Sequence, residues 1–217
     1  MKTAVVILSG GLDSTTLLYD VRQQGYEIHA LSFNYGQRHK KELIKAKQTC
    51  KILRIPHIIL PLDVLNKVAP STLTRKNQKI PEGNYNDENM KLTIVPNRNM
   101  VMLSLATAYA IGIKADKVFY GAHGGDHAIY EDCRRVFVEA LAKAIALADK
   151  HVVILEAPYL DMDKGDIAIK GKKLGVDFSK TWTCYKGKEK ACGVCGACRE
   201  RLEAMKKAGI KDPIEYE

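Results

Sequence analysis

Residues 4–14, Ala4-Val5-Val6-Ile7-Leu8-Ser9-Gly10-Gly11-Leu12-Asp13-Ser14, decide the fold. The apolar run from Ala4 to Leu8 is short and ends in a turn signal, which reads as a strand buried on both faces. Thr15-Thr16-Leu17-Leu18-Tyr19-Asp20-Val21 reads as a helix. Two glycines between them let the backbone turn tightly, so that amides and hydroxyls surround an anion at the helix N-terminus. The positive end of the helix dipole adds to that field. The first fifteen residues therefore predict a phosphate site.

The kind of phosphate site follows from what the loop contains. It matches neither the G-x-x-x-x-G-K-[ST] loop nor the G-x-G-x-x-G fingerprint. Ser9, Ser14 and Thr15 supply hydroxyl donors instead, and no lysine sits in the loop. The plainer alternative is an ordinary Gly-Gly turn between strand and helix. S-G-G-x-D-S in this place resembles the pyrophosphate loop (PP-loop) of the ATP pyrophosphatase superfamily, whose members cleave ATP to AMP and pyrophosphate. That resemblance implies an ATP site on Leu8, Ser9, Gly10, Gly11, Leu12, Asp13, Ser14, Thr15, Thr16, Leu17 and Leu18, with Ser9, Asp13 and Ser14 at the chemistry.

A chain of 217 residues can bury one sizeable α/β core with a small appendage. Its hydrophobic share of 46% and charged share of 27% are those of an ordinary globular protein. No apolar run approaches the roughly 18 residues of a membrane span. The N-terminal run leads into the glycine loop and not into a cleavage site, so a cytoplasmic location without a membrane partner is expected. The net charge of +9 allows an anionic partner without naming one. Much of it is local: Arg38, Lys40, Lys41, Lys45, Lys47, Lys51 and Arg54 make seven cations against a single acid, Glu42. RNA, a nucleotide or an acidic protomer face could use that stretch, but a solvated helix face is the plainer reading.

Beyond the first helix, the chain alternates. Strands are expected at Tyr26–Phe33, His57–Leu60, Lys117–Tyr120 and Val152–Leu155, with helices over about 40–53, up to 113, 136–148 and 163–174. On the helix from Lys40, the apolar stripe is Leu43, Ala46, Cys50 and Leu53. Such alternation predicts an α/β protein with a Rossmann-like, doubly wound parallel sheet, whose ligands gather at the C-terminal strand ends. From Asp63 to Thr93 the pattern lapses through Pro70, Pro81, Gly83 and the polar run 84–89, the signature of a lid or disordered loop.

Four of six cysteines lie near the C-terminus as Cys184, Cys192, Cys195 and Cys198, a C-x7-C-x2-C-x2-C spacing. C-x2-C turns bring two sulfurs to one ion, and Gly193 and Gly196 let the backbone wrap it. Disulfides fit poorly in so crowded a set. C-x2-C-x2-C also begins a ferredoxin-type iron–sulfur run, but Arg199 follows and no C-P closes it. Structural Zn²⁺ held by four thiolates is the expectation, with Lys186, Lys188, Lys190 and Arg199 offsetting its negative charge. This divides the chain into a nucleotide domain, 1–180, and a zinc-binding extension, 181–217. Cys50 and Cys133 read as buried structural thiols.

Taken together, the chain resembles the 7-cyano-7-deazaguanine synthase family, the nitrile-forming ligases of queuosine and archaeosine precursor biosynthesis. The likeness rests on Ser9–Thr16, on Phe33-Asn34-Tyr35-Gly36-Gln37-Arg38-His39, on Val95-Pro96-Asn97-Arg98-Asn99 and on Tyr130-Glu131-Asp132-Cys133-Arg134. It continues through Thr183-Cys184-Tyr185 and Cys192–Arg199. Two positions depart from the family's usual pattern, Asn97 where glycine is common and Glu131 where proline is. The resemblance implies an adenine nucleotide alpha hydrolase-like fold and a homodimer. It also implies that 7-carboxy-7-deazaguanine is adenylated by ATP, converted by ammonia to an amide, and adenylated again to yield the nitrile.

Further roles follow from that resemblance. Mg²⁺ would share the pyrophosphate charge, with Asp13 a direct or water-mediated ligand. Arg38 and Arg98 are candidates for phosphates or the substrate carboxylate, and equally for salt bridges. Asp126 and Asp132 could accept hydrogen bonds from the guanine-like edge or cap helices. Tyr35 and Gln37 follow a strand's C-terminal end, where the ligand should be. His123 and His127 read as loop histidines without catalytic duty. No segment is left over for a glutaminase, so nitrogen is expected as free ammonia, and no direct nucleic-acid contact is expected. Two rivals stand: a PP-loop enzyme acting on tRNA, and a non-enzymatic zinc-bearing nucleotide-binding module.

Overall fold

The computed structural model describes residues 2–75, 77–84 and 88–217. Five strands form one parallel sheet: β1 (Thr3–Ile7), β2 (Glu27–Asn34), β3 (His57–Pro61), β4 (Lys117–Phe119) and β5 (Ile154–Glu156), in the order β3-β2-β1-β4-β5. Helix α1 (Leu12–Gln23) links β1 to β2, and α2 (Lys41–Leu53) links β2 to β3. The chain then returns across β1 through α3 (Asp63–Val68) and α4 (Arg98–Gly112) to reach β4. Helices α5 (Arg135–Ala146), α6 (Lys164–Lys173) and α7 (Gly196–Lys207) complete the order. The sheet winds outward in both directions from β1, so a crevice opens between the C-terminal ends of β1 and β4.

Strand alternation sends β1 residues to two cores. Val5 packs with Leu31, Phe33, Val118 and the α4 and α5 residues Leu103, Ala106, Leu141 and Ile145. Ala4, Val6 and Leu8 pack on the other face with Leu17 and Leu18 of α1, Ala46 and Cys50 of α2, and Ile167 of α6. Ala4, Val5 and Val6 are wholly buried, as the opening run predicts. The two edge strands depart from a two-sided burial pattern: β3 exposes Ile58 and Ile59, and β5 exposes Ile154.

Two segments differ from the sequence reading. The 63–93 connection is packed, not loose: Leu65, Leu73, Ile80 and Met90 enter the same core as Val5. These four are too widely spaced to show a period, while Val64, Val68 and Leu92 of the same segment stay exposed; of the polar run 84–89, residues 85–87 lie outside the described residues. Helix α7, hidden behind the cysteine spacing, lays Ala204 and Met205 against the α1/α6 face. Its Arg201 is wholly buried and donates to both carboxylate oxygens of Asp212 at 2.7 and 3.0 Å, and to Thr181 Oγ1 at 2.7 Å.

Candidate active site and metal centre

The opening loop forms the floor of a cavity of about 220 Å³ at the β1/β4 crevice. Gly10 sits at φ +89°, and its backbone lies against the first turn of α2. Ser9 Oγ accepts the Gly11 amide at 3.1 Å and lies 2.9 Å from Ser14 Oγ, which in turn accepts the Ser9 amide at 3.2 Å. No side chain caps α1, so its first amides keep free hydrogens facing the loop, where an anion can take them. From the β4 side Gly121 approaches Ser14, and Gly121, Tyr120 and Ala122 wall the cavity.

Asp13 is the charged centre of this floor. Its Oδ2 lies 3.4 Å from Lys164 Nζ and 3.7 Å from His123 Nε2. Its Oδ1 is buried without a hydrogen-bond partner among the described residues. An unsatisfied buried carboxylate oxygen beside a phosphate loop is what a hard divalent cation such as Mg²⁺ takes up, so the donor fits. His123 Nδ1 accepts the Gly125 amide at 3.1 Å, which leaves the proton on Nε2, facing Asp13 and Asp126 at 3.4 Å. Lys164 is buried and also pairs with Glu200 of α7. Burial alone would lower the Lys164 ammonium's pKa, but Asp13, Glu200 and Asp126 hold it well above the usual lysine range.

The opposite end of the cavity is aromatic. Arg98, the first residue of α4, lies 5.7 Å from the Tyr35 ring and donates to its hydroxyl at 3.4 Å. Among the described residues no carboxylate lies in ion-pair range of Arg98. Burial opposes its charge, yet Tyr35, Tyr130, Asp132 and Tyr185 keep it firmly protonated. Burial pushes the Tyr35 phenol up to about 12. Asn97 holds φ +57°, a left-handed backbone that asparagine tolerates and glycine adopts freely, so the departure from glycine read in the sequence costs little here. His39 and Glu42 join this wall. Burial lowers His39 to about 3 and raises Glu42 to about 8.

Of the substrate candidates read from sequence, Tyr35, Arg98 and Asp126 line the cavity, whereas Gln37, Arg38 and Asp132 lie outside its lining. Gln37 is spent on the loop itself, accepting the Tyr35 amide and donating to Phe33 O and Glu42 Oε1. Arg38 donates to Gln78 O at 2.6 Å. Asp132 accepts the Asn99 amide at 3.1 Å and so caps α4. In the loop, Leu8, Ser9, Gly11, Leu12, Asp13 and Ser14 line the cavity, while Gly10, Thr15, Thr16, Leu17 and Leu18 stand behind them. Cavity residues to which the sequence reading assigned no role are Lys164, Glu42, His39 and Tyr120; His123 lies in the loop after β4, as read, and is buried there beside Asp13.

The four tail cysteines gather as expected, with all Sγ atoms within 4.8 Å of one another and all buried. Tetrahedral zinc with bonds of about 2.3 Å sets sulfurs about 3.8 Å apart, and Cys192 and Cys198 are at 4.0 Å. The Cys192 amide donates to Cys184 Sγ and the Cys195 amide to Cys192 Sγ, each at 3.4 Å. Hydrogen bonds from Cys195 and Cys198 lower Cys184 most, favouring a thiolate there. The donor set fits zinc. The neighbouring lysines are already engaged, Lys186 with Glu82, Lys188 with Glu217 and Lys190 with Glu215.

Comparison with known proteins bears on this geometry. A family model described as queuosine biosynthesis protein QueC matches residues 3–209. The chain is 62% identical over 214 residues to a 7-cyano-7-deazaguanine synthase of Caldicellulosiruptor saccharolyticus, covering 99% of this chain and 95% of that one. It is 61% identical to one of Methanoregula boonei, covering 99% of each. Among solved structures, a 4-thiouridine synthetase in complex with RNA and bound ATP superposes with a TM-score of 0.54 at 16% identity, covering 96% of this chain and 50% of that one. An NMN synthetase from Francisella tularensis superposes at 0.54 with 14% identity, covering 97% and 78%. These two show the fold.

Proposed function

The chain belongs to the queuosine biosynthesis protein QueC family, the 7-cyano-7-deazaguanine synthases, and from that premise we propose how its cavity carries the reaction. It is a ligase-type enzyme of queuosine precursor biosynthesis. In our reading, ATP lies with its pyrophosphate on Ser9, Gly11 and Ser14, and the carboxylate of 7-carboxy-7-deazaguanine meets Arg98 at the other end. The observation that carries this is the pairing, in one cavity, of a phosphate floor with a half-buried arginine that has, among the described residues, no carboxylate in ion-pair range. The substrate carboxylate attacks the α-phosphate, pyrophosphate departs, ammonia displaces AMP to leave an amide, and a second adenylation of the amide oxygen precedes loss of AMP as the nitrile forms.

Each residue then has a physical task. The loop amides and hydroxyls stabilise the departing pyrophosphate, which carries more charge at the transition state than in ATP. Asp13 Oδ1 would hold Mg²⁺, which when bound shares the phosphate charge. Lys164 faces the same charge from the β5–α6 side. Asp126 and His123 keep Asp13 oriented. Tyr35, Tyr130 and Arg98 exclude water from the acyl end. Zn²⁺ on Cys184, Cys192, Cys195 and Cys198 fixes residues 181–217 as a module on the 1–180 domain, holding Trp182 over Gly10, whose carbonyl accepts the Trp182 amide at 2.9 Å.

We extend the reading to a homodimer. Edge strand β3 exposes Ile58 and Ile59, and α3 exposes Val64 and Val68, a surface that a second copy would cover. A cytoplasmic protein that does not bind nucleic acid directly is part of the same reading. Lys41 lies 4.2 Å over the Trp182 ring and Lys45 donates to Ser179 O, so two of the α2 lysines serve the tail. Whether the product goes on to queuosine or archaeosine is a matter for the enzymes that follow. Incubation with 7-carboxy-7-deazaguanine, ammonium, Mg²⁺ and ATP, followed by mass spectrometry, is expected to show amide and then nitrile. Absence of both from metal-loaded protein would refute the proposal, and AMP release without substrate would favour a different acceptor.

A further inference from the structure

Glu42 is a buried acid that the reaction as described leaves unused. It lies in the first turn of α2, where its backbone carbonyl is so close to the loop that a Cβ on Gly10 would stand 2.0 Å from it. Its carboxyl turns to the acyl end, where Gln37 Nε2 donates to Oε1 at 3.1 Å and His39 Nε2 stands 3.5 Å away. His39 is itself only 3% exposed, lines the same cavity, and its Nδ1 has no hydrogen-bond partner among the described residues. With Nε2–H toward Glu42, that Nδ1 is a buried, unsatisfied acceptor. Arg98 from α4 and Tyr35, Gln37 and His39 from the β2–α2 loop face Glu42, and Tyr185 of the tail packs against the His39 ring.

Two acceptors, one of them unsatisfied, between a phosphate loop and a carboxylate-binding arginine call for a small donor ligand. We propose that Glu42 and His39 form the ammonium site, and that the Glu42 carboxylate removes the proton that ammonium must lose before it attacks. This rests on the ligase reading above. Ammonium gives one proton to Glu42, and the freed nitrogen pair forms the C–N bond at the acyl carbon. The C–O bond to AMP breaks with its electron pair on the phosphate oxygen. The nitrogen sheds its second proton to that departing phosphate, leaving a neutral amide. Burial, which raises Glu42 to about 8, brings the carboxyl nearer to ammonium in proton affinity, and the ionised fraction, a minority at neutral pH that grows as pH rises through 8, is the form that accepts the proton.

Glu42→Gln keeps an oxygen for Gln37 while removing the base, so the loop should hold its shape. Wild type and variant are compared with ammonium and with hydroxylamine, which is already unprotonated at neutral pH. The expected result is an ammonium-dependent rate about 100-fold or more lower in the variant, recovering as rising pH supplies free ammonia, with hydroxamate formation and ATP–pyrophosphate exchange nearly unchanged. Equal loss with both nucleophiles, or none with either, would overturn the ammonium site. A shorter carboxylate in Glu42→Asp should restore part of the ammonium rate, and failure to do so when Glu42→Gln is impaired would also count against it. Exchange and hydroxamate formation in the wild type test the ligase reading separately, because neither requires Glu42 as a base.

Discussion

Replacing Gly10 by alanine should damage this protein more than any other single methyl group added at a turn. Two costs combine. At φ +89° an L-residue is in left-handed backbone, which costs about 1–2 kcal/mol. The new Cβ would also meet Glu42 O at 2.0 Å, Glu42 C at 2.9 Å and Ala46 N at 3.0 Å, all of them helix backbone. No side chain can rotate away, so α2 or the loop must shift, an overpacking cost of about 1–3 kcal/mol. The sum, about 2–5 kcal/mol, is a large part of a typical total stability of roughly 5–15 kcal/mol.

Gly25 supplies the control. It too is left-handed, at φ +82°, but an added Cβ would meet nothing within 4 Å. Gly25→Ala should show only the backbone cost and keep its activity. Urea unfolding of both variants, with unchanged slopes, reads the difference directly. We expect Gly10→Ala to lose about 1–3 kcal/mol more than Gly25→Ala, and its KM for ATP to rise because the phosphate loop has moved. Equal destabilisation of the two would show that the loop is not pressed against α2, and the geometry argued for Glu42 would fall with it.

Other consequences are as direct. Elemental analysis should find one zinc per chain, lost in Cys184→Ser together with thermal stability; stoichiometric iron with a visible chromophore would contradict the zinc reading. Arg98→Met should raise the KM for the carboxylate substrate by about 30-fold or more, the loss of a buried charged partner at about 2–5 kcal/mol, with the KM for ATP little changed. Lys164→Met leaves the half-buried carboxylates of Asp13 and Glu200 without their cation and should cost about 1–3 kcal/mol in denaturant unfolding. The folded Glu42 holds its proton to about 8 against an ordinary 4.5, so it favours the folded state fully below 4.5, and that contribution fades as pH rises through 8. Unfolding midpoints across that window should therefore fall more steeply in the wild type than in Glu42→Gln.

The strands and helices that make the sheet were legible because each carries a clean period or a buried run. The nucleotide loop was legible because it is contiguous: six residues contain strand end, turn and helix start. Packing of the 63–93 connection was not, since Leu65, Leu73, Ile80 and Met90 are too far apart to display any period, and only the assembled core shows that each is buried. Helix α7 was masked by the cysteines and glycines at its start, whose metal-binding signal outweighs helix propensity there.

The charged residues gathered around Asp13 show a deeper limit. His123 follows β4, Lys164 opens α6 after β5, and Glu200 sits on α7, and they meet only because the sheet order sets β4 and β5 beside β1. No local pattern encodes that order. Yet two of the overlooked residues broke local rules in a readable way. Lys164 is a cation in the first turn of a helix, where the dipole disfavours it, and the structure supplies the reason in Asp13 and Glu200. Glu42 is the single acid in a stretch of seven cations, on a helix whose remaining lysines face outward or toward the tail. A charge that breaks a local sequence rule is worth following into the fold, and in this chain both such charges line the same cavity.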